Sequence, residues 1–114
     1  MKFYNCGTCK NVIIQINNNC NDLKEIIPNI KGDYESHIPV VFKTDDGVNV
    51  EVSYKQHPMT KEHFIEWILI ETNKGFHIRH LNYYDLPKAS FKLNDEYVIK
   101  AYEYCNIHGL WEEK

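Results

Sequence analysis

The chain has 114 residues and 13.6 kDa, is 43% hydrophobic and 25% charged, and carries a net charge of −3. That length supports one domain with a real core, because such a chain buries roughly two-thirds of its unfolded surface without disulfide staples. The acidic balance argues against a nucleic-acid binder, which presents a basic face, and no apolar run approaches the roughly 20 residues needed to cross a bilayer. Residues 1–6 lack the apolar core of a signal peptide, so a cytoplasmic protein is expected. The four cysteines are then metal ligands or free thiols rather than disulfides.

Residues 1–34 are weakly patterned. Cys6-Gly7-Thr8-Cys9 has a metal-knuckle spacing, and Val12 to Ile16 reads as a short strand. Asn17 to Asp22 is a turn-forming run. Leu23 to Ile30 is interrupted at Pro28, so any helix there is short, and Gly32 closes the segment. From Glu35 the pattern is all-β. Val40 to Lys43 suits a strand, Asp45-Asp46-Gly47 a turn, and Val48, Val50, Val52 and Tyr54 alternate with polar residues. Phe64 to Glu71 is more uniformly apolar, as in a central strand covered on both faces; periodicity alone also allows a buried helix, but the β-branched and aromatic content and the turn after it favour a strand. Asn73-Lys74-Gly75 turns the chain, and Phe76–Leu81, Ala89–Leu93 and Tyr97–Cys105 complete a series of short strands. The spacing predicts an antiparallel sandwich.

Chemistry concentrates in three places. Cys105-Asn106-Ile107-His108-Gly109 sets a thiolate and an imidazole three residues apart before a glycine turn. His57-Pro58-Met59-Thr60-Lys61-Glu62-His63 holds two imidazoles in a proline-started turn, and His37 stands two residues before Pro39. Four imidazoles and one thiolate exceed the ligands of a structural zinc site; five would leave an octahedral metal one open position. The residues by themselves leave a five-ligand iron and a four-ligand zinc both open. His77 and His80, flanking Ile78-Arg79 in a predicted strand, are expected to be structural.

Three blocks carry a resemblance: Glu35-Ser36-His37-Ile38-Pro39, His57 through Ile68, and Ala101 through Trp111, with Leu86-Pro87-Lys88-Ala89-Ser90-Phe91 between the last two. In this order they resemble the superoxide reductase family (desulfoferrodoxin and neelaredoxin). The resemblance implies an immunoglobulin-like β-sandwich over residues 35–114 that holds one mononuclear non-haem iron. Its equatorial ligands would be His37, His57, His63 and His108, its axial ligand Cys105, and its open position would take superoxide. It also implies one-electron reduction of superoxide to hydrogen peroxide, Glu35 as the carboxylate that fills the open position of the ferric form, and a rubredoxin-like electron donor. A homo-oligomer, dimer or tetramer, is implied as well; that no nucleic acid or membrane is a partner is expected from charge and hydropathy alone.

The chain departs from the family pattern twice. Ser36 stands where the family usually has a lysine that attracts superoxide, and Lys61, or Lys55, is the expected substitute. Residues 1–34 resemble a degenerate desulforedoxin-like domain: Cys6, Cys9 and Cys20 remain, and a tetrahedral site would need an extra ligand such as Asp22. A second metal is therefore not expected there. The competing function is a non-catalytic iron protein that only transfers electrons. The backbone amides of Asn106 and Ile107 are expected to face the Cys105 sulfur.

Overall fold

The structure, a computed structural model, describes residues 1–5, 11–14 and 23–114. Its frame is two antiparallel sheets laid face to face. The first contains β4 (Pro39–Thr44), β5 (Gly47–Val52) and β8 (Lys88–Lys92), in the order β4-β5-β8. The second contains β6 (Ile65–Thr72), β7 (Gly75–His80), β9 (Val98–Cys105) and β10 (Gly109–Glu112), in the order β10-β9-β6-β7. Period-two alternation sends Val48, Val50 and Val52 of β5 inward with Ala89 and Phe91 of β8. They meet Ile65, Ile68, Ile70, Ala101 and Cys105 of the facing sheet in one core. Cys105, the last residue of β9, is thus part of the sandwich interior.

The pairing of β6 with β9 shifts register between Ile65 and Trp67: Ile65 lies opposite Cys105, and Trp67 opposite Tyr104. The additional residue, Glu66, is a bulge, and bulges change which face the following side chains take. Ile65 therefore joins Ile68 and Ile70 in the inner core, while Trp67 and Leu69 face outward. That outer face is covered in turn. A three-stranded sheet, β1 (Phe3–Asn5), β2 (Val12–Ile14) and β3 (Lys24–Glu25), in the order β2-β1-β3, lays Phe3 on Trp67 and Tyr102 with ring centroids at 5.8 and 4.8 Å. Burying a phenylalanine in this way stabilises by about 1.5–3 kcal/mol. The prediction that β6 is covered on both faces is met.

Elsewhere the sequence expectations need correction. Leu23–Ile30 contains no helix; it pairs through β3, and Ile26 N–H donates to Phe3 O at 2.7 Å. The region after Glu35 is not purely β, since α1 (Tyr34–His37) is one helical turn capped by Asp33, whose Oδ2 accepts from Ser36 N. Strand β5 ends at Val52, so Tyr54 is exposed in a turn rather than continuing the alternation. Residues 109–112 form β10, where only a loop was expected. Of the expected strand Val12–Ile16, the first three residues are seen, and Gln15 and Ile16 lie outside the described residues. Cys6, Cys9, Cys20 and Asp22 lie outside them too. Among the described residues no helix is long and apolar enough to cross a membrane.

Candidate metal centre

Four imidazoles meet at one end of the sandwich. His37 closes α1 and is buried; its Nδ1–H donates to Asp33 O at 2.8 Å, which leaves Nε2 as a bare lone pair. His57 is buried in the loop after β5, its backbone N–H bonded to Val52 O, and its Nδ1–H donates to Pro58 O at 2.7 Å. His57 Nε2 is therefore also a lone pair, and it stands 3.2 Å from His37 Nε2. His63 is fixed by a reciprocal backbone pair, Thr60 N to His63 O at 2.9 Å and His63 N to Thr60 O at 3.1 Å; its Nε2 is buried without a partner among the described residues. His108 sits in the turn between β9 and β10, made possible by Gly109 at φ +75°. Its Nδ1 lies 2.9 Å from His37 Nε2 and 3.8 Å from Cys105 Sγ.

The rings form a near-square. Adjacent centroids, His37–His57, His57–His63, His63–His108 and His108–His37, are 4.7, 4.7, 5.1 and 4.6 Å apart, and the His37–His63 diagonal is 6.4 Å. The donor atoms of His37, His63, Cys105 and His108 all lie within 4.8 Å of one another. His57 is outside that tightest set and touches it through His37. Sequence reasoning therefore named all five residues that the fold brings to this place.

The arrangement is unfavourable without a cation. Burial, then the neighbouring imidazoles, holds His57 down to about 4. Burial also lowers His37 and His63, with His108 the next acidifying influence on both. Burial likewise raises the Cys105 thiol, opposed by the amides of His108 and Ile107. His108 N–H reaches Sγ at 3.4 Å. Ile107 was correctly expected to face the sulfur, but Asn106 donates instead to Phe64 O. Neutral imidazoles with lone pairs aimed at one point suit a metal. Two nitrogens each about 2.1 Å from a metal, at right angles, would be about 3.0 Å apart, and the observed approaches are 2.9 and 3.2 Å. Nitrogen with sulfur selects a borderline transition metal over magnesium or calcium.

Around the rings, Trp111 stacks on His37 at 5.2 Å and 22°. The sequence reading missed Gly32 and Asp33 as neighbours of the site, although Asp33-x-x-Ser36 is a helix-start signal that could have found Asp33. Glu35 is exposed on α1, and Ser53 Oγ–H donates to its backbone carbonyl. Ser36 Oγ–H donates to Asp33 Oδ1 at 2.6 Å. Lys61 and Lys55 are both exposed in the β5–β6 connection, Lys61 two residues from His63. His77 and His80 lie on β7 and are not part of the cluster; His77 is paired with Glu96 at 3.0 Å.

The chain is similar to known proteins. The desulfoferrodoxin profile matches residues 29–114. The desulfoferrodoxin of Syntrophotalea carbinolica is 44% identical over 80 residues, which span 70% of this chain and 63% of that protein, less than two-thirds of its length. The desulfoferrodoxin of Desulfarculus baarsii is 33% identical over 98% of this chain and 94% of its own. Among solved structures, the superoxide reductase from Treponema pallidum superposes with a TM-score of 0.81 at 31% identity, covering 97% of this chain and 98% of that one. With the profile spanning most of the chain and whole-length relatives above 30% identity, this chain belongs to the desulfoferrodoxin family.

Proposed function

We propose that the protein is a superoxide reductase that holds one iron through His37, His57, His63, His108 and Cys105. The observation that carries this reading is the near-square of four imidazoles whose inner nitrogens converge beside a buried thiol. Its setting, a fold like that of the Treponema pallidum superoxide reductase along almost the whole chain, supports it. Bound there, iron would supply a one-electron reductant with a coordination position left open. The balanced reaction takes superoxide, one electron and two protons to hydrogen peroxide.

The chain's own groups then have separable tasks. Four neutral imidazoles and one thiolate would give bound ferrous iron a net charge of +1, so the site would attract an anion although the protein is acidic overall. The His108 amide reaching Cys105 Sγ tempers the donation of the thiolate. The Nδ1–H bonds of His37 and His57 to carbonyls hold both rings in the tautomer that turns Nε2 inward. Glu35, exposed on the turn that ends in His37, is the carboxylate proposed to close the open position in the oxidised enzyme. Lys61 is proposed to supply the cationic attraction that Ser36 does not. A rubredoxin-like donor, a cytoplasmic dimer or tetramer, and a division into an N-terminal segment of 1–34 and an iron-binding domain of 35–114 complete the reading; the small β2-β1-β3 sheet within the first segment is consistent with the division.

The decisive experiment is anaerobic iron loading followed by pulse-generated superoxide. Rapid bleaching of the ferrous form, with one peroxide per electron and a red thiolate-to-ferric band afterwards, is expected. Reversible redox cycling with no superoxide consumption would instead make it an electron-transfer protein. A colourless, zinc-only protein that iron cannot reload would defeat both. For Lys61, the rate is followed against ionic strength in wild type, Lys61→Ala and Ser36→Lys. Steering predicts a shallower salt slope for the first variant and a steeper one for the second.

A further inference from the structure

Residues 29–33 reach the candidate site along the free edge of β10. Asn29, at φ +65°, gives its backbone N–H to Leu110 O at 3.0 Å. Its side chain then does what a neighbouring strand would do: Oδ1 accepts from Glu112 N at 2.8 Å and Nδ2 donates to Glu112 O at 3.3 Å. Asparagine suits this place because it tolerates the left-handed conformation while offering both a donor and an acceptor. Two residues later the Trp111 indole N–H donates to Lys31 O at 3.0 Å. The chain is thereby pinned to β10 at two points.

Gly32 follows, at φ +88°. A Cβ there would lie 2.9 Å from His108 Cγ and 2.9 Å from His37 Cε1, closer than non-bonded carbons approach, so only glycine fits against both rings. The next residue, Asp33, accepts the His37 Nδ1–H through its carbonyl, and the ring of Trp111 lies on the opposite element, stacked on His37. A run of five residues therefore touches two of the four imidazoles, while its anchor atoms belong to β10, the strand that follows the His108 turn.

We infer that the Asn29–Asp33 strap positions the metal site: by bracing the His37 and His108 rings it sets the angle at which their inner nitrogens converge. Asn29, Gly32 and Trp111 are its positioning residues, and this assignment rests on the proposed metal reading. Groups that orient ligands from outside typically govern metal affinity by about 10–100-fold, and the strap is built from such contacts.

Three variants test it. Asn29→Gly keeps the left-handed backbone and deletes the amide; Trp111→Phe keeps a ring on His37 and deletes the N–H; Gly32→Ala adds the colliding methyl. Full-length proteins are loaded anaerobically with Fe(II) and, separately, with Co(II). Metal release to a chelator and the cobalt absorption spectrum are recorded, alongside circular dichroism and melting of the metal-free proteins. The expected result is release faster by about 10–100-fold for Gly32→Ala and by a smaller factor for the other two. The cobalt bands should shift, with far-ultraviolet dichroism unchanged. Wild-type release and spectra in the folded variants would overturn the inference. So would faster release that disappears once a stabilising osmolyte restores the metal-free melting temperature, since the strap would then serve the fold alone. If Gly32→Ala does not fold, the other two variants decide. A wild type that takes cobalt but refuses iron overturns the iron reading and leaves the strap to be judged on cobalt; one that takes neither metal overturns both.

Discussion

The six histidines fall into two groups that the same chemistry treats differently. On β7, His77 is part-exposed and has a complete environment: Nε2 meets Glu96 Oε1 at 3.0 Å, and that oxygen also accepts from Thr72 Oγ1 at 2.6 Å. At the end of the sandwich, His37 and His57 meet carbonyls only on their outer nitrogens, their inner ones approach other imidazoles at 2.9 and 3.2 Å, and His63 Nε2 has no partner among the described residues. Burying a polar atom without a hydrogen bond costs about 1–3 kcal/mol, so the lone His63 Nε2 and the lone pairs of His37 and His57 that face each other at 3.2 Å need a common explanation, and a cation supplies it. Burial or imidazole content alone does not separate a metal site from a structural histidine. Which nitrogen is left over does.

The contrast can be broken most directly at Cys105. Cys105→Ala is expected to abolish the red thiolate absorption and superoxide consumption of the iron-loaded protein, measured by stopped-flow spectroscopy, whereas the same experiment on His77→Ala should match wild type. Retained colour in Cys105→Ala would remove the thiol from the site.

The next effect is acid sensitivity of the metal-free protein. His57 is held down to about 4 in the fold, from about 6.5 when unfolded. The unfolded chain therefore binds the proton first, and the stability held above pH 6.5 is lost as pH falls through 4. For this one group the loss is about 3 kcal/mol; His37 and His63, also lowered, act in the same direction. Chemical unfolding at pH 7 and pH 4.5 measures it, and bound metal should widen the difference, because acid protonates the ligands and releases the metal. An apoprotein equally stable at both values would contradict the picture of buried neutral rings.

Glu103 sharpens the comparison from another side. It is wholly buried, neither carboxylate oxygen has a partner among the described residues, and burial raises its pKa well above the usual carboxylate range. It lies in the middle of β9, opposite Ile68 and Trp111 on the neighbouring strands. With a raised folded pKa, its contribution is full below about 4.5 and is lost as pH rises, because the unfolded chain ionises first. Glu103→Leu should therefore stabilise the metal-free protein at pH 7.5 by about 1–3 kcal/mol, read from denaturant midpoints, with iron content unchanged. A variant that folds but loses iron would show that this carboxyl belongs to the metal site after all.

The smallest expected effect is at the satisfied histidine. His77→Ala removes a partly exposed pair with Glu96 and should cost less than about 1 kcal/mol in thermal melts. A larger loss would mean that the Thr72–Glu96–His77 chain secures the β6–β7 hairpin more strongly than its exposure suggests.

Much of this molecule was legible in advance because local rules govern it. The alternation of Val48, Val50 and Val52 sets one face of β5 wherever that strand goes, and the mostly apolar run of residues 64–71 foretold a strand with two covered faces. His37, His57, His63, Cys105 and His108 could be named as a group because three short stretches carry four imidazoles and a thiol and because those stretches resemble the superoxide reductase blocks. The misses share a cause. Strands β1, β3 and β10 are two to four residues long and exist only because an edge was there to pair with, which no local pattern encodes. The turn α1 is too short to display a helical period.

By itself, then, the sequence determined the inventory: the donor atoms, the strands that carry them and the turns that separate them. Only the tertiary structure decided orientation. The Glu66 bulge brings Ile65 opposite Cys105, carbonyls of Asp33 and Pro58 choose the tautomers of His37 and His57, and a strap pinned to β10 leaves room for nothing larger than Gly32 beside two rings. Which nitrogen faces inward depends on a hydrogen bond to a residue whose position is set by packing, and packing is a property of the whole chain.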